Sequence, residues 1–133
     1  MRVITDTNLL VRLVTLDDLA QAEVVERFLE QAERVILPIT ALCELCWVLT
    51  TAYQQPSTAV AESVEYLVGI PNAVTDHYAV EIGLKVLRQG GDFADGAIAA
   101  TGARAGGDHF ATLDKQAARL LAGAGMKVHL LTS

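Results

Sequence analysis

The sequence predicts an α/β protein: a single domain, residues 1–133, in which a parallel sheet is covered by helices on both faces. Short apolar segments rich in β-branched residues alternate with longer amphipathic segments along the 133 residues. Such alternation is typical of parallel sheets whose strands are joined by helices. A chain of this length usually forms one domain with its own hydrophobic core, and no internal repeat or linker divides it.

Five segments carry the strand pattern. The first, 2–5, contains three successive β-branched residues, and the second, 35–38, is a short apolar run ended by proline. The other predicted strands are 71–75, 109–112 and 127–131. We expect the opening strand to be the central strand of the sheet.

The segments between these strands have helical periodicity. From Leu19 to about Glu33, apolar residues recur every three or four positions and glutamates take the opposite face. Asp92 to Ala105 is a helix of small residues, which lets it lie close to its neighbour. The remaining predicted helices start near Leu9, near Thr40, at Ser57 or Thr58, after Asp76 and after Asp114.

Composition limits the class of protein. The chain is 52% hydrophobic, yet no uninterrupted apolar stretch approaches the ~20 residues of a membrane span. The first residues lack a secretory signal pattern, and we therefore expect a cytoplasmic protein. Part of the apolar excess indicates an oligomer interface or a partner groove. The formal net charge of −6 is unusual for a nucleic-acid-binding domain.

Cys43 and Cys46 stand in a Cys-Glu-Leu-Cys spacing that redox motifs and half zinc sites share. No second cysteine pair exists, the three histidines are scattered, and the segment lies in the middle of an apolar helix. Buried cysteine commonly behaves as a small hydrophobic residue. The core interpretation is therefore favoured over redox or zinc chemistry.

Two aspartates directly follow predicted strands. Asp6 ends the opening strand ahead of Thr7 and Asn8, and Asp114 follows the strand that ends at Thr112. An aspartate in this position can cap the next helix. It can also face the rim at the carboxyl ends of parallel strands, where ligands bind. Both interpretations apply to each aspartate.

Further carboxylates stand on predicted helices. Glu44 is the only charged residue between Arg34 and Glu62. It lies either on a narrow exposed stripe or buried beside a partner, because unpaired buried carboxylates are costly. Asp92 and Asp95 open the small-residue helix. One aspartate suffices to cap that helix, which leaves the second available for another role.

Four of these carboxylates could share one site, because the carboxyl ends of parallel strands meet at one edge of a sheet. The four are Asp6, Glu44, Asp95 and Asp114. Converging negative charges raise one another's pKa unless a cation lies between them. All-oxygen ligation suits Mg²⁺ or Mn²⁺. Such an ion can lower the pKa of a water and stabilise a phosphate during in-line displacement.

The ordered acidic motifs resemble those of the PIN-domain ribonucleases. The matching segments, in family-like order and spacing over essentially the whole chain, are Asp6-Thr7-Asn8, Glu44 in Ala-Leu-Cys-Glu-Leu, Asp95 in Asp-Phe-Ala-Asp-Gly-Ala-Ile-Ala-Ala, and Thr112-Leu-Asp114. The likeness extends to the VapC-type toxins of bacterial toxin–antitoxin pairs. It implies a PIN-like fold and an endoribonuclease whose catalytic acidic quartet holds Mg²⁺ or Mn²⁺.

The resemblance also implies supporting residues. Asn8 and Thr112 would assist the quartet through hydrogen bonds, directly or through water. Asp92 would be an accessory residue, and Asp95 is favoured over Asp92 as the ligand because its sequence context is more similar to the family pattern.

Partners follow from the same resemblance. The family's toxins are small and often acidic, so the RNA would be held by the metal and a few basic residues. Candidates near the acidic motifs are Arg12, Arg104 and Lys115. An antitoxin that carries a DNA-binding module would dock in a groove, and a second copy would form a homodimer. We expect both contacts at the apolar helices from Thr40 to Val68.

Two other functions stay open. A receiver-like signalling domain needs adjacent acidic residues after the first strand and a lysine near the end of the fifth. Here Asp6 is followed by Thr7, and Lys127 begins its strand, so that pattern fits poorly. A catalytically silent PIN fold that serves only as a binding module has nothing in its favour, since all four acidic positions are filled.

Overall fold

The structure is a computed structural model, and it describes residues 1–132. Helices and strands alternate in the predicted order. The strands are β1 (Arg2–Ile4), β2 (Arg34–Ile36), β3 (Ala73–Val74), β4 (Phe110–Thr112) and β5 (Val128–Leu130). The helices are α1 (Thr7–Val14), α2 (Leu19–Glu30), α3 (Ile39–Thr51), α4 (Ser57–Val68), α5 (His77–Arg88), α6 (Phe93–Arg104) and α7 (Lys115–Gly123).

All strand pairs of the described residues are parallel. β1, β2 and β3 form a three-stranded sheet in that order, and β4 pairs with β5. The predicted fold class, a parallel sheet flanked by helices, is confirmed. The expectation that β1 is the central strand is wrong for the sheet that contains it, because β2 lies between β1 and β3. Burial agrees with this order: Val35 of β2 is fully buried, whereas its partner Val3 of β1 is half-buried.

The chain divides into two compact units, a first unit, Met1–Asp76, and a second unit that begins at His77. In the first unit α1 packs against α2 and α3, and α3 packs against α4. Its fully buried side chains include Leu10, Val35, Leu42, Leu45, Leu49, Val60, Val64 and Leu67.

Cys43 and Cys46 lie on α3 and form no disulfide. Cys46 is buried in the core of the first unit and Cys43 is half-buried. This placement agrees with the core interpretation of the pair.

In the second unit, glycines bring α5 and α6 close together. A Cβ atom at Gly96 would lie 2.6 Å from the carbonyl oxygen of Ile82, and one at Gly83 would lie 2.6 Å from the Phe93 ring. Phe93 itself is fully buried. The prediction of a small-residue helix that approaches its neighbour closely is thus confirmed, and the first turn of α6 is fixed against α5.

No helix within residues 1–132 is both long and apolar enough to cross a membrane.

Candidate functional site

Asp6 is placed by the end of β1. The buried Thr5 donates hydrogen bonds from its backbone amide (3.1 Å) and its hydroxyl (2.8 Å) to the carbonyl oxygen of Ile36, which fastens β1 to β2. The next residue, Asp6, is the N-cap of α1, and its Oδ1 accepts a hydrogen bond from the Leu9 amide at 3.0 Å. The capping interpretation of Asp6 is therefore confirmed.

The cap uses one oxygen of the Asp6 carboxylate, and the second oxygen takes no part in it. The Asp6 side chain is exposed, and within the described part of the chain its Oδ2 has no hydrogen-bond partner. Thr7 and Asn8 are the first two residues of α1 rather than its cap. Asp6 can thus cap a helix and still offer an oxygen to a ligand.

Glu44 belongs to an exposed stripe. It lies on α3 with Thr40, Trp47 and Thr51 on the same exposed face, and the Trp47 side chain is 64% exposed. This is the first of the two alternatives that the sequence left open. Among residues 1–132 the Glu44 carboxylate has neither a hydrogen bond nor an ion pair, so it is solvated and available.

Asp92 and Asp95 have different roles at the start of α6. Asp92 is the N-cap, and its Oδ1 accepts a hydrogen bond from the Ala94 amide at 3.0 Å. Asp95, in the first turn, is half-buried, and its carboxylate accepts no hydrogen bond from any described residue. As predicted, one aspartate caps the helix and the other remains available. This difference favours Asp95 over Asp92 as a ligand.

Asp114 repeats the arrangement of Asp6 at the end of β4. It is the N-cap of α7, and its Oδ1 accepts a hydrogen bond from the Ala117 amide at 3.1 Å. The Thr112 hydroxyl accepts a hydrogen bond from the Asp114 amide at 3.0 Å. The Thr112 hydroxyl therefore holds the backbone of Asp114 in place through its amide.

The second unit concentrates negative charge around Asp95. Burial, followed by the negative charges of Asp92 and Asp114, raises the pKa of Asp95 above its usual value. The ionised form of Asp95 is therefore disfavoured by burial and by the repulsion of these two carboxylates. Carboxylate oxygens with excess negative charge are the ligands that a hard divalent cation prefers, so the chemistry of these three aspartates fits such an ion.

Across residues 1–132, no group of three or more histidine, cysteine, aspartate or glutamate side chains has the geometry of a formed metal site. The aspartates that follow β1 and β4 each cap a helix through one carboxylate oxygen. The convergence of Asp6 and Glu44 with Asp95 and Asp114 stays a prediction.

The three basic residues expected to contact RNA differ in their surroundings. Arg12 donates to Gln21 at 2.6 Å and pairs with Asp17 at 3.1 Å, so it already has a structural role. Arg104 lies in the last turn of α6, nine residues and about 13 Å along the axis from Asp95. Its guanidinium stacks 5.4 Å from the centre of the Tyr78 ring. The exposed Lys115, directly after Asp114, is the candidate that the structure places beside an acidic motif.

A polar cluster around Asp17 was not expected from the sequence. Asp17 accepts hydrogen bonds from the hydroxyls of Tyr53 (2.7 Å) and Thr15 (2.8 Å) and pairs with Arg12. These contacts, with that of Tyr53 the strongest, lower the pKa of Asp17. Asp18, and not Asp17, caps α2. Nothing in the local pattern identifies a partner that lies 36 residues away.

The family of the chain follows from a comparison with protein-family models. The PIN domain model matches residues 3–121. The chain belongs to the PIN-domain family. PIN domains are generally nucleases, and they typically use divalent metal ions. No match was found among curated proteins.

Proposed function

We propose that this PIN-domain protein is a metal-dependent endoribonuclease and the toxin of a VapC-type toxin–antitoxin pair. The observation that carries the proposal is Asp95: it is half-buried, burial and then the negative charges of Asp92 and Asp114 raise its pKa, and no basic side chain within residues 1–132 pairs with it. Uncompensated carboxylates are costly in a structure. A bound divalent cation would remove that cost.

The family resemblance assigns the metal-holding role to Asp6, Glu44, Asp95 and Asp114, with Asp92 as an accessory. The observed hydrogen bonds support this assignment, since the caps at Asp6 and Asp114 hold each carboxylate by one oxygen and leave the other for a ligand. Asn8 and Thr112 would support the set. The hydrogen bond from the Asp114 amide to the Thr112 hydroxyl is consistent with that role.

The chemistry is hydrolysis of an RNA phosphodiester. A bound divalent cation supplies positive charge at the phosphate and lowers the pKa of a water. The ionised carboxylates of the chain orient that water and keep the site negative enough to select a divalent ion. Lys115, next to Asp114, offers a cation to an adjacent phosphate.

The partners in this proposal are RNA, a cognate antitoxin and a second copy of the chain, all in the cytoplasm. The apolar side chains of α3 and α4 serve mainly the core of the first unit, with Leu42, Leu49, Val60 and Val64 fully buried. Trp47 and Tyr66 are the large apolar residues that these helices expose. Contacts with partners at α3 and α4 would therefore centre on those two aromatic side chains.

The decisive variant is Asp6→Asn, with Asp18→Asn as its matched control. Both aspartates are N-caps in the first unit, and each accepts an amide hydrogen bond at 3.0 Å from the third residue of its helix. Asparagine caps as well as aspartate does, so both variants should keep their thermal stability. Divalent-dependent cleavage of RNA should fall more than about 100-fold in Asp6→Asn alone.

The same assay contains the outcomes that would overturn the proposal. Full cleavage by Asp6→Asn, or wild-type cleavage that persists in EDTA, would exclude the metal mechanism. RNA binding without any cleavage by the wild-type protein would identify a silent binding module instead. Growth arrest on expression, relieved by a co-expressed antitoxin, tests the toxin role separately.

A further inference from the structure

The second unit contains a cavity of about 530 Å³ at the last turns of α5 and α7. Three of its seven lining residues are cationic and none is acidic. The lining residues are Lys85, Arg88, Gln89, Arg119, Leu120, Gly123 and Ala124. We call this feature the basic cavity.

The charge of the chain makes this composition unusual. The chain has 16 acidic and 10 basic residues, yet residues 1–76 account for 11 of the acidic and only 4 of the basic ones. The second unit is therefore close to neutral, and half of its six basic residues line one cavity. A positively charged concavity attracts anions and raises their local concentration.

Helix stability alone does not account for all three cations. Lys85 and Arg88 lie in the last turn of α5, where cations interact favourably with the helix dipole. Arg119 lies in the middle of α7, and within the described residues it has no hydrogen bond or ion pair. No contact within the described residues therefore explains why Arg119 lies at the cavity wall.

Lys85 is held only weakly. It pairs with Glu81 at 3.5 Å, and both side chains are more than half exposed, at 52% and 62%. Exposed pairs of this kind contribute little and exchange readily with solvent. Lys85 can therefore turn from Glu81 to an anion in the cavity.

The basic cavity lies in the same unit as Asp92, Asp95 and Asp114, which we call the acidic cluster. Its lining residue Gln89 begins the turn that leads to Asp92, and the Gln116 side chain donates to the Gly90 carbonyl in that turn at 3.4 Å. Along α7, Arg119 follows Asp114 by five residues, about 7.5 Å along the helix axis. The turn between α5 and α6 and the helix α7 with its N-cap therefore each carry residues of both the basic cavity and the acidic cluster.

We propose that the basic cavity binds backbone phosphates of the single-stranded RNA that flanks the cleaved bond. This inference rests on the proposed ribonuclease function and adds to it a phosphate subsite made by Lys85, Arg88 and Arg119. Because phosphate contacts carry no sequence information, the subsite strengthens binding of any sequence and positions the strand.

The test is RNA binding by the variant Lys85→Gln/Arg119→Gln. Fluorescence anisotropy with a labelled single-stranded RNA, in EDTA so that the RNA stays intact, gives the affinity at several KCl concentrations. Loss of two phosphate contacts should weaken binding about tenfold at low salt and reduce the slope of log affinity against log salt by about 1.4. Arg27→Gln/Arg34→Gln, which removes two exposed cations of the first unit, is the control of equal charge.

A charge-preserving variant shows whether weaker RNA binding comes from the lost charges or from misfolding. Lys85→Arg/Arg119→Lys should bind RNA with wild-type affinity and salt slope, because both cations remain. Wild-type binding by Lys85→Gln/Arg119→Gln, or equal weakening in the control, would overturn the subsite. If the wild-type protein still cleaves RNA in Mg²⁺ in that case, the proposed function survives; if it neither binds nor cleaves RNA, both fail.

Discussion

Asp95 opposes the stability of the folded protein, and in the proposed function it is also a metal ligand. Its pKa is raised by burial and by the charges of Asp92 and Asp114, so the folded state holds its proton more tightly than the unfolded state does. The ionised form is therefore disfavoured in the folded protein. This destabilisation is present above the raised pKa and disappears as the pH falls below the ordinary value of 3.8.

Asp95→Asn should therefore make the protein more stable at pH 7 while it abolishes cleavage. In EDTA, thermal unfolding of the variant and the wild type should differ most at neutral pH and converge near pH 3. Asp108→Asn is a control of opposite sign, because the hydrogen bond from His109 lowers the pKa of Asp108. An Asp95→Asn variant less stable than the wild type at pH 7 would contradict the electrostatic account.

At this scale the sequence predicts where the aspartates stand relative to strands and helices better than what they contact. Asp6 and Asp114 follow strands in the sequence, and both interpretations of that position, cap and rim ligand, were available. The structure shows each cap and its hydrogen bond. Which carboxylate oxygen accepts the amide hydrogen bond depends on the side-chain rotamer and on the backbone geometry. The order of residues does not encode these directly.

The contact between α5 and α6 makes a prediction at the level of the element. Gly96→Ala would place a methyl group 2.6 Å from the Ile82 carbonyl oxygen, which cannot move without shifting the helix. The expected loss is about 1–3 kcal/mol of unfolding free energy. Gly102→Ala on the same helix meets open space and should stabilise by up to about 1 kcal/mol. Urea unfolding measures both, and equal effects at the two positions would contradict the packing described.

Asp17 joins three helices of the first unit, since Arg12 lies in the last turn of α1, Asp17 precedes α2 and Tyr53 follows α3. Its lowered pKa means that the ionised form stabilises the folded state above the usual aspartate pKa, and that this contribution is lost as the pH falls through the lowered value.

Tyr53→Phe removes the strongest of these contacts. The variant should be less stable than the wild type at pH 7, and the difference should narrow as the pH falls to 3, below the ordinary aspartate pKa of 3.8 and towards the lowered pKa of Asp17. Thermal unfolding at the two pH values measures this, with Tyr66→Phe, an exposed tyrosine of the same unit, as the control. A difference of the same size at both pH values would show that Asp17 is not the partner responsible.

Helices and strands were predictable because hydrophobic periodicity is local. The apolar face of α5, for example, contains the buried Ala79, Ile82, Val86 and Leu87 that the pattern indicates. The order of strands was less predictable, because pairing depends on contacts between distant segments. β2 carries the continuous apolar run typical of a strand buried on both faces, and this feature was a better guide to the middle of the sheet than the position of Asp6.

For the whole chain, the distribution of charge resolves the objection that its acidity raised against RNA binding. The excess of acidic residues belongs to residues 1–76, whereas the second unit carries the basic cavity and Lys115. The sequence drew attention to Arg12 and Arg104 because they stand near acidic motifs in the chain. Arg104 lies at the opposite end of α6 from Asp95. Residues that are near in sequence can therefore be far apart along a helix.

The central claim is that the acidic residues of this PIN domain hold a divalent cation. Anomalous diffraction from crystals soaked in Mn²⁺ tests it most directly. We expect a strong anomalous peak about 2.1 Å from carboxylate oxygens that include those of Asp95 and Asp114. An ordered crystal with no peak at Asp95, in which Asp6 and Asp114 still serve only as helix caps, would contradict the claim.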